Sequence, residues 1–457
     1  MTLAFLTIIL LSLALALTST LNHPTKRPED FFVAGGKFGV VLFFVLSVGE
    51  TYSAGTILGY PAGIAARGTA FITWFVGYIL LAFPIGYFLY PLLWRAGRRA
   101  NAITLPDLFR HHFNSRALEL TVTLTSLACL LPLGVMQFIG LDTILADLNW
   151  PIPNLALSLA AAAIAFAYIA LSGIRAPAYV AILKDILILA AILTIGLACL
   201  AAPNTPSRAI PQIPKPPAHD DIFAITTILL QAAGFCIVPQ TCAAVFTARS
   251  ESTIRRAQIA MPLYMILFPF LTVAGFYAAH HTLVQHSPND TLLAVSRALL
   301  PPWATGLLMA AAALSALVVL AGICLAIGPL VTRNLLPNLT PNQQRSGAKL
   351  VIAAYLTLSV AGAAQTPTLM VALNNLFYFG ITQSLPGMLA IAFNRTLRPT
   401  PLIAGLLAGD ALAFALHASN LPLGGINPGL LGLLLNGLIV EASTPFSRKR
   451  TKKLFSV

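Results

Sequence analysis

Charge is scarce in this chain. Lys, Arg, Asp and Glu together make up 9% of 457 residues, while 58% are hydrophobic. No soluble domain of this size has so little polar surface to offer water, so the composition reads as a polytopic membrane protein. Acidic residues are the scarcer sign, 14 against 27 Lys and Arg, for a formal net charge of +13. Such a balance can point to nucleic acid. Here the basic residues sit in short loops between apolar runs, so no nucleic-acid partner is expected. Cysteines are few: Cys129, Cys199, Cys236, Cys242 and Cys324 lie in apolar runs without CxxC spacing. They read as small core residues rather than metal ligands or disulfides. No Walker loop, HExxH or GxSxG occurs, which leaves nothing for ATP hydrolysis or membrane proteolysis and argues against an enzyme. The run Leu3–Leu17 has no basic stretch before it and no convincing cleavage site after it. It is expected to be a retained helix.

What the sequence has in quantity is long apolar runs. Thirteen are read, at about 3–20, 38–60, 69–93, 117–141, 153–172, 177–201, 222–246, 258–279, 302–332, 349–364, 368–392, 400–418 and 426–445. Most match the roughly 20 residues that cross hydrocarbon at 1.5 Å per residue. The ninth is long enough to tilt or project, and the tenth is short. The loops alternate in charge. One set holds only Arg67, Arg208, Lys215 and Arg297. All other Lys and Arg belong to the second set, including Arg175 with Lys184 and the tail 448–453. The positive-inside rule then places the N-terminus outside and the C-terminus in the cytoplasm of an inner (plasma) membrane protein. Thr104–Phe113 reads as a surface amphipathic helix with no chemistry of its own. Pro203–Pro217 reads as an extended external connector.

Two spans are interrupted. Val45–Gly63 holds Ser47, Gly49, Glu50, Thr51, Ser53, Gly55, Thr56, Gly59 and Pro61 within about four turns. Gly and hydroxyl residues weaken a helix, and a mid-membrane Glu is costly without a partner or water. Non-helical backbone survives at that depth only inside protein or beside a wet cavity. The seventh span carries Gln231, Gly234, Pro239, Gln240 and Thr241. Proline there removes a backbone donor and unwinds or kinks the helix. The two spans are five apart and enter from opposite sides. They fall at corresponding positions of inverted units, 38–201 and 222–392. Segment 1–37 precedes these units, 202–221 connects them and 393–457 follows. Paired broken helices of this kind point to the midplane site of a secondary transporter. A channel would need a filter or a pore-lining ring. A sensor on the same scaffold would carry an output domain after the helices.

The chain also resembles the sodium:solute symporter family. The matching stretches are DFFVAGG (30–36), SAGTILGYPAG (53–63), TLPDLFRHHF (104–113), SGIRAPAYVAILKDILIL (172–189), TARSESTIRRAQIAMPLY (247–264), LVTRNLLP (330–337), ITQSLPGMLA (381–390) and GGINPGLLGLLLN (424–436). The form APAYVAILKD is most similar to the monocarboxylate-permease branch. The resemblance implies an all-α fold, the five-plus-five inverted repeat of the bacterial leucine transporter, with one helix before the core and two after. It also implies sodium held by carbonyls of the first broken helix and two adjacent hydroxyls on the ninth span. Those two positions fall on Val318 and Val319. Valine has no side-chain oxygen for a hard cation. Ser315 lies about a turn away.

The candidate residues follow. For a small organic solute, possibly a monocarboxylate, they are Ser47, Gly49, Thr51, Ser53, Gln137, Gln231 and Gln240; the three amides can equally be interhelix hydrogen bonds. For the coupling ion, sodium or proton, they are Glu50, Asp185 and Ser315. Asp185 can equally be a structural pair with a nearby cation. For an outer gate they are Asn374 and Tyr378, with Asn375 beside them. His280, His281 and His286 read as interfacial. Asp410 reads as a helix-packing or homo-oligomer contact. Apart from the coupling ion, no cofactor is expected.

Overall fold

The computed structural model describes residues 1–22, 27–202, 218–281, 283, 287–336, 338–366, 370–419 and 421–443. The side chain of Glu50 lies outside this description, as do the connector 203–217, His286 and the basic tail. Among the described residues the architecture is helical, with one isolated bridge between Phe38 and Ala248.

The helices run in order: α1 (Thr2–Asn22), α2 (Pro28–Val33), α3 (Val40–Thr51), α4 (Ala54–Ile57), α5 (Gly59–Arg67) and α6 (Thr69–Ala100). Then come α7 (Leu105–Phe113), α8 (Arg116–Asp147), α9 (Asn154–Ser172) and α10 (Arg175–Ala201). The second half holds α11 (Ala218–Phe235), α12 (Pro239–Thr247), α13 (Glu251–Ala260), α14 (Phe268–His280), α15 (Thr291–Leu299) and α16 (Pro302–Pro329). It ends with α17 (Pro341–Gln365), α18 (Met370–Ile381), α19 (Leu385–Ala392), α20 (Pro399–Ser419) and α21 (Pro428–Ala442). Eight helical runs are apolar and long enough to cross a membrane, and two bent pairs raise this to ten. The shorter apolar helices α9 and α21, and the run α18–α19, take the remaining expected spans.

Both expected breaks are present. The axis bends by 60° between α3 and the α4–α5 segment, and by 43° between α11 and α12. Two boundaries differ from the sequence reading. The tenth span begins earlier, at Pro341, because Thr340 and Gln343 form a capping box that adds polar turns ahead of the apolar run. The ninth ends in a π-helical turn, Leu330–Leu335, which projects Arg333 and Asn334 into a polar cluster.

α16 is the spine. Nearly all of its side chains are buried, including Val318 and Val319, and it packs against α1, α8, α9, α10 and α17. A hydrophobicity that is almost uniform around the helix is what a centrally buried helix needs. At the basic end of the bundle, Phe38 N–H donates to Thr247 O (2.8 Å) and Arg249 N–H to Phe38 O (3.0 Å). These bonds tie the entry of the first broken span to the exit of the second. Arg95 and Glu251 pair there at 2.7 Å. At the opposite end Arg297 pairs with Asp147 and Asp290. The α20–α21 hairpin packs on the core through Gln383, whose side-chain amide donates to Gly429 O (3.2 Å) while its backbone carbonyl accepts from Asn436 Nδ2 (2.7 Å). Asp410 on α20 accepts from Thr125 of α8 (3.4 Å), a helix-packing contact within the chain.

Candidate functional site

A helix that stops inside a membrane leaves backbone donors and acceptors without partners, and each must find one. At the first break Tyr52 and Ser53 leave helical geometry, with ψ of 72° and 177°. Three side chains replace the lost bonds. Ser315 on α16 donates its hydroxyl to the Tyr52 carbonyl. Gln137 on α8 accepts from the Ala54 N–H through Oε1 at 3.1 Å. Thr56 donates to the Thr51 carbonyl at 2.6 Å. At the second break Ile237 N–H turns back to Gly234 O (3.0 Å), and Pro239, which has no N–H to satisfy, starts α12.

Between the two breaks lies a small cavity of about 40 Å³. The first break supplies Ser53, Gly55 and Thr56, and the second supplies Val238, Gln240 and Thr241. α8 adds Leu133 and Met136, and α16 adds Val319. An aromatic wall closes it: Phe75 and Tyr78 from α6, Phe235 from α11, and Phe377 and Tyr378 from α18. Tyr78 and Tyr378 meet edge to face at 5.9 Å. Thr51 Oγ1, Gln137 Nε2 and Asn374 Nδ2 are buried with no hydrogen-bond partner among the described residues. A second cavity of about 20 Å³, lined in part by Ser47, shares Phe235 and Thr241 with the first and extends to Gln258 and Met261.

Of the residues singled out in the sequence, Ser53, Gln240, Asn374 and Tyr378 thus line one chamber, and Ser47 the next. Gln137 holds the break itself. Gln231 is fully buried away from the chamber, accepting from Trp74 Nε1 (3.1 Å) and donating to Asn375 Oδ1 (2.8 Å). Asp185 lies outside both chambers and pairs with Lys184 Nζ at 2.7 Å. Lys184, grouped by sequence with the loop charges, is fully buried in α10. The sequence reading also missed the aromatic wall, although the clustered rings of 71–78 were a visible signal. Among the described residues no group of His, Cys, Asp and Glu could hold a metal.

Because Gln137 is the one acceptor of the Ala54 N–H among the described residues, Gln137→Leu should leave a buried donor unpaired. A loss of about 1–3 kcal/mol follows. Gln137→Glu keeps the acceptor and serves as the control. Thermal unfolding in detergent checks the pair, and an unchanged Tm in Gln137→Leu would show that the bond is dispensable.

A sequence model of the sodium:solute symporter family matches residues 31–397. The chain belongs to the sodium:solute symporter family. An uncharacterized symporter of Bacillus subtilis, YhjB, is 27% identical over 453 residues and 92% of each chain. A monocarboxylate transport permease protein of Rhizobium johnstonii is 25% identical over 470 residues, covering 91% of each. In architecture the chain is similar to a Na+-coupled sialic acid symporter solved in a substrate-bound outward-open state. The TM-score is 0.75 at 16% identity, over 96% of both chains. The fold of this symporter is therefore the leucine-transporter-like one, with a five-plus-five inverted-repeat core.

The family implies sodium as the coupling ion. In this symporter the residues at the first break do not fit one. Val318 and Val319 offer no side-chain oxygen, and the nearby α16 hydroxyl, Ser315, donates its hydrogen to the Tyr52 carbonyl. A Cβ built on Gly49 would stand 3.7 Å from Val318 Cγ1 and 3.5 Å from Lys184 Nζ. A methyl and an ammonium therefore face the turn where oxygens would be needed.

Proposed function

We propose that this symporter takes up a small monocarboxylate by alternating access, with the solute bound between the two broken helices. The observation that carries the reading is the single chamber shared by both breaks and walled by aromatic rings. A half-helix starts at each break, α4 at Ala54 and α12 at Pro239, and the residues just inside these ends, Gly55 with Thr56 and Gln240 with Thr241, line the chamber. Such ends carry partial positive charge and can hold a carboxylate without a buried Arg. The aromatic wall suits a short apolar body behind that carboxylate. Units 38–201 and 222–392 rock against one another, and Phe235 with Thr241 separates the binding chamber from the second chamber. The loop charges place that second chamber toward the cytoplasm of an inner membrane, with the N-terminus outside. The coupling ion we assign is the proton, carried by Glu50 on the first broken helix. The relative named as a monocarboxylate permease favours the same solute class.

Uptake into proteoliposomes tests this. Radiolabelled short monocarboxylates should accumulate, and neutral sugars should neither accumulate nor compete. Competition by sugars but not by carboxylates would overturn the solute class. Single-channel currents in a planar bilayer would overturn alternating access.

A further inference from the structure

A lysine with no exposed surface is unusual in any protein and costly in a membrane core, so its partners matter. Lys184 stands in the third turn of α10 and is fully buried. Its one ionic partner among the described residues is Asp185, the next residue in the chain. Neither the ammonium nor either Asp185 oxygen makes a regular hydrogen bond to another described group. The side chain instead crosses to the first broken helix and ends at the last turn of α3. A Cβ at position 49 would come into ordinary van der Waals contact with the ammonium, and Val318 of α16 lies on the other side. Asp185 also lies within electrostatic range of the phenols of Tyr52 and Tyr264. α16 contributes no acidic or basic side chain, and Glu50 is the other such residue at this turn of α3.

The end of α3 is a helix C-terminus inside the bundle. Its last carbonyls carry partial negative charge, and a cation there is favourable. Two of them are met by hydroxyls, Thr51 O by Thr56 and Tyr52 O by Ser315. A monovalent cation placed beside the turn Gly49–Tyr52 would complete the arrangement, and the group standing there is an ammonium.

We propose that the Lys184 ammonium is a tethered substitute for the alkali ion at the end of the first half-helix, so that this position does not take sodium. The inference rests on the reading of the chain as a coupled transporter and goes beyond it by assigning the cation. Sodium needs several oxygens in its first shell. Lys184 supplies the charge without them, which accounts for valines at 318 and 319. A cation fixed to the protein cannot be released to either side. Its role is to hold the break together, and coupling is left to the proton assigned to Glu50.

The test uses the purified full-length protein in sodium chloride and in choline chloride at equal ionic strength. An ion that binds only the folded state raises Tm with concentration. The wild type should show the same Tm in both salts to within about one degree, and uptake should differ by no more than about twofold, because an ion without differential binding shifts no equilibrium. The double variant Lys184→Thr with Val318→Ser opens the space and adds two hydroxyls. It should gain a saturable, sodium-specific rise in Tm of several degrees. Saturable sodium stabilisation of the wild type overturns the proposal without any variant being needed. A folded double variant that stays blind to sodium overturns the assignment to Lys184. If no carboxylate is taken up under any gradient, the functional reading fails, while the salt comparison still decides the ion position.

Discussion

Glu50→Gln should reduce accumulation driven by a pH gradient at least about tenfold, the loss of its one proton-carrying step, while leaving solute binding measurable. Glu50 is the only acidic residue in the first broken span. A carboxylate at that depth costs several kcal/mol to keep charged, and protonation removes the cost. A group that must be neutral to move and charged to reset is what coupling to protons requires. The measurement is uptake into proteoliposomes, first with an inward proton gradient in sodium-free buffer and then with an inward sodium gradient at constant pH. The first should drive accumulation in the wild type and not in Glu50→Gln. If only the sodium gradient works, Glu50 is not a proton carrier.

The second large effect is on stability. Asn334→Leu should destabilise the fold by about 3 kcal/mol, since bonds to ionised groups are worth about 1.5–3 kcal/mol each. Asn334 is fully buried in the π-helical turn that ends the spine helix. Its amide nitrogen donates to Asp107 and to Glu119, both at 2.9 Å, and its oxygen accepts from Thr104 at 2.8 Å. Arg333 holds Asp107 at 2.9 Å and Arg116 holds Glu119 at 2.8 Å. One neutral side chain thus keeps two carboxylates close together and joins α7, α8 and α16. Leucine removes the shared donor and leaves the carboxylates to repel. Asn334→Asp should be worse, because it adds a third acceptor where a donor is needed. Thermal unfolding in detergent gives the comparison. A Tm for Asn334→Leu equal to the wild type within about one degree would mean that the arginines alone hold the cluster.

The helix Leu105–Phe113 shows how far the sequence reaches. Its existence was legible, because Thr104 and Asp107 form a capping box that any reader can find. Its role was not. Asp107 reads locally as a cap, and only the approach of Arg333 and Asn334, more than two hundred residues away, makes it a junction. The three glutamines behave likewise. Each lies in an apolar span and must find a partner, which chemistry dictates. Whether that partner is a solute, a backbone N–H or a tryptophan depends on which way the helix is turned. Lys184 is the sharpest case. Loop assignment by charge placed it near a surface, since a lysine close to a helix start usually snorkels out. In the fold the side chain turns inward instead, fully buried and ending beside Gly49.

The sequence by itself determined the membrane class, the alternation of charged loops, the family and the two interrupted helices. These rest on composition and on residues such as Gly and Pro, whose backbone effects are local and survive any packing. Tertiary structure alone decided that the two breaks open on one chamber, that aromatic rings of α6, α11 and α18 wall it, and that an ammonium stands at the end of the first half-helix. Those facts depend on the rotation and depth of helices far apart in the chain. A nearly uniform apolar pattern does not encode rotation, because every face of such a helix is equally content to be buried.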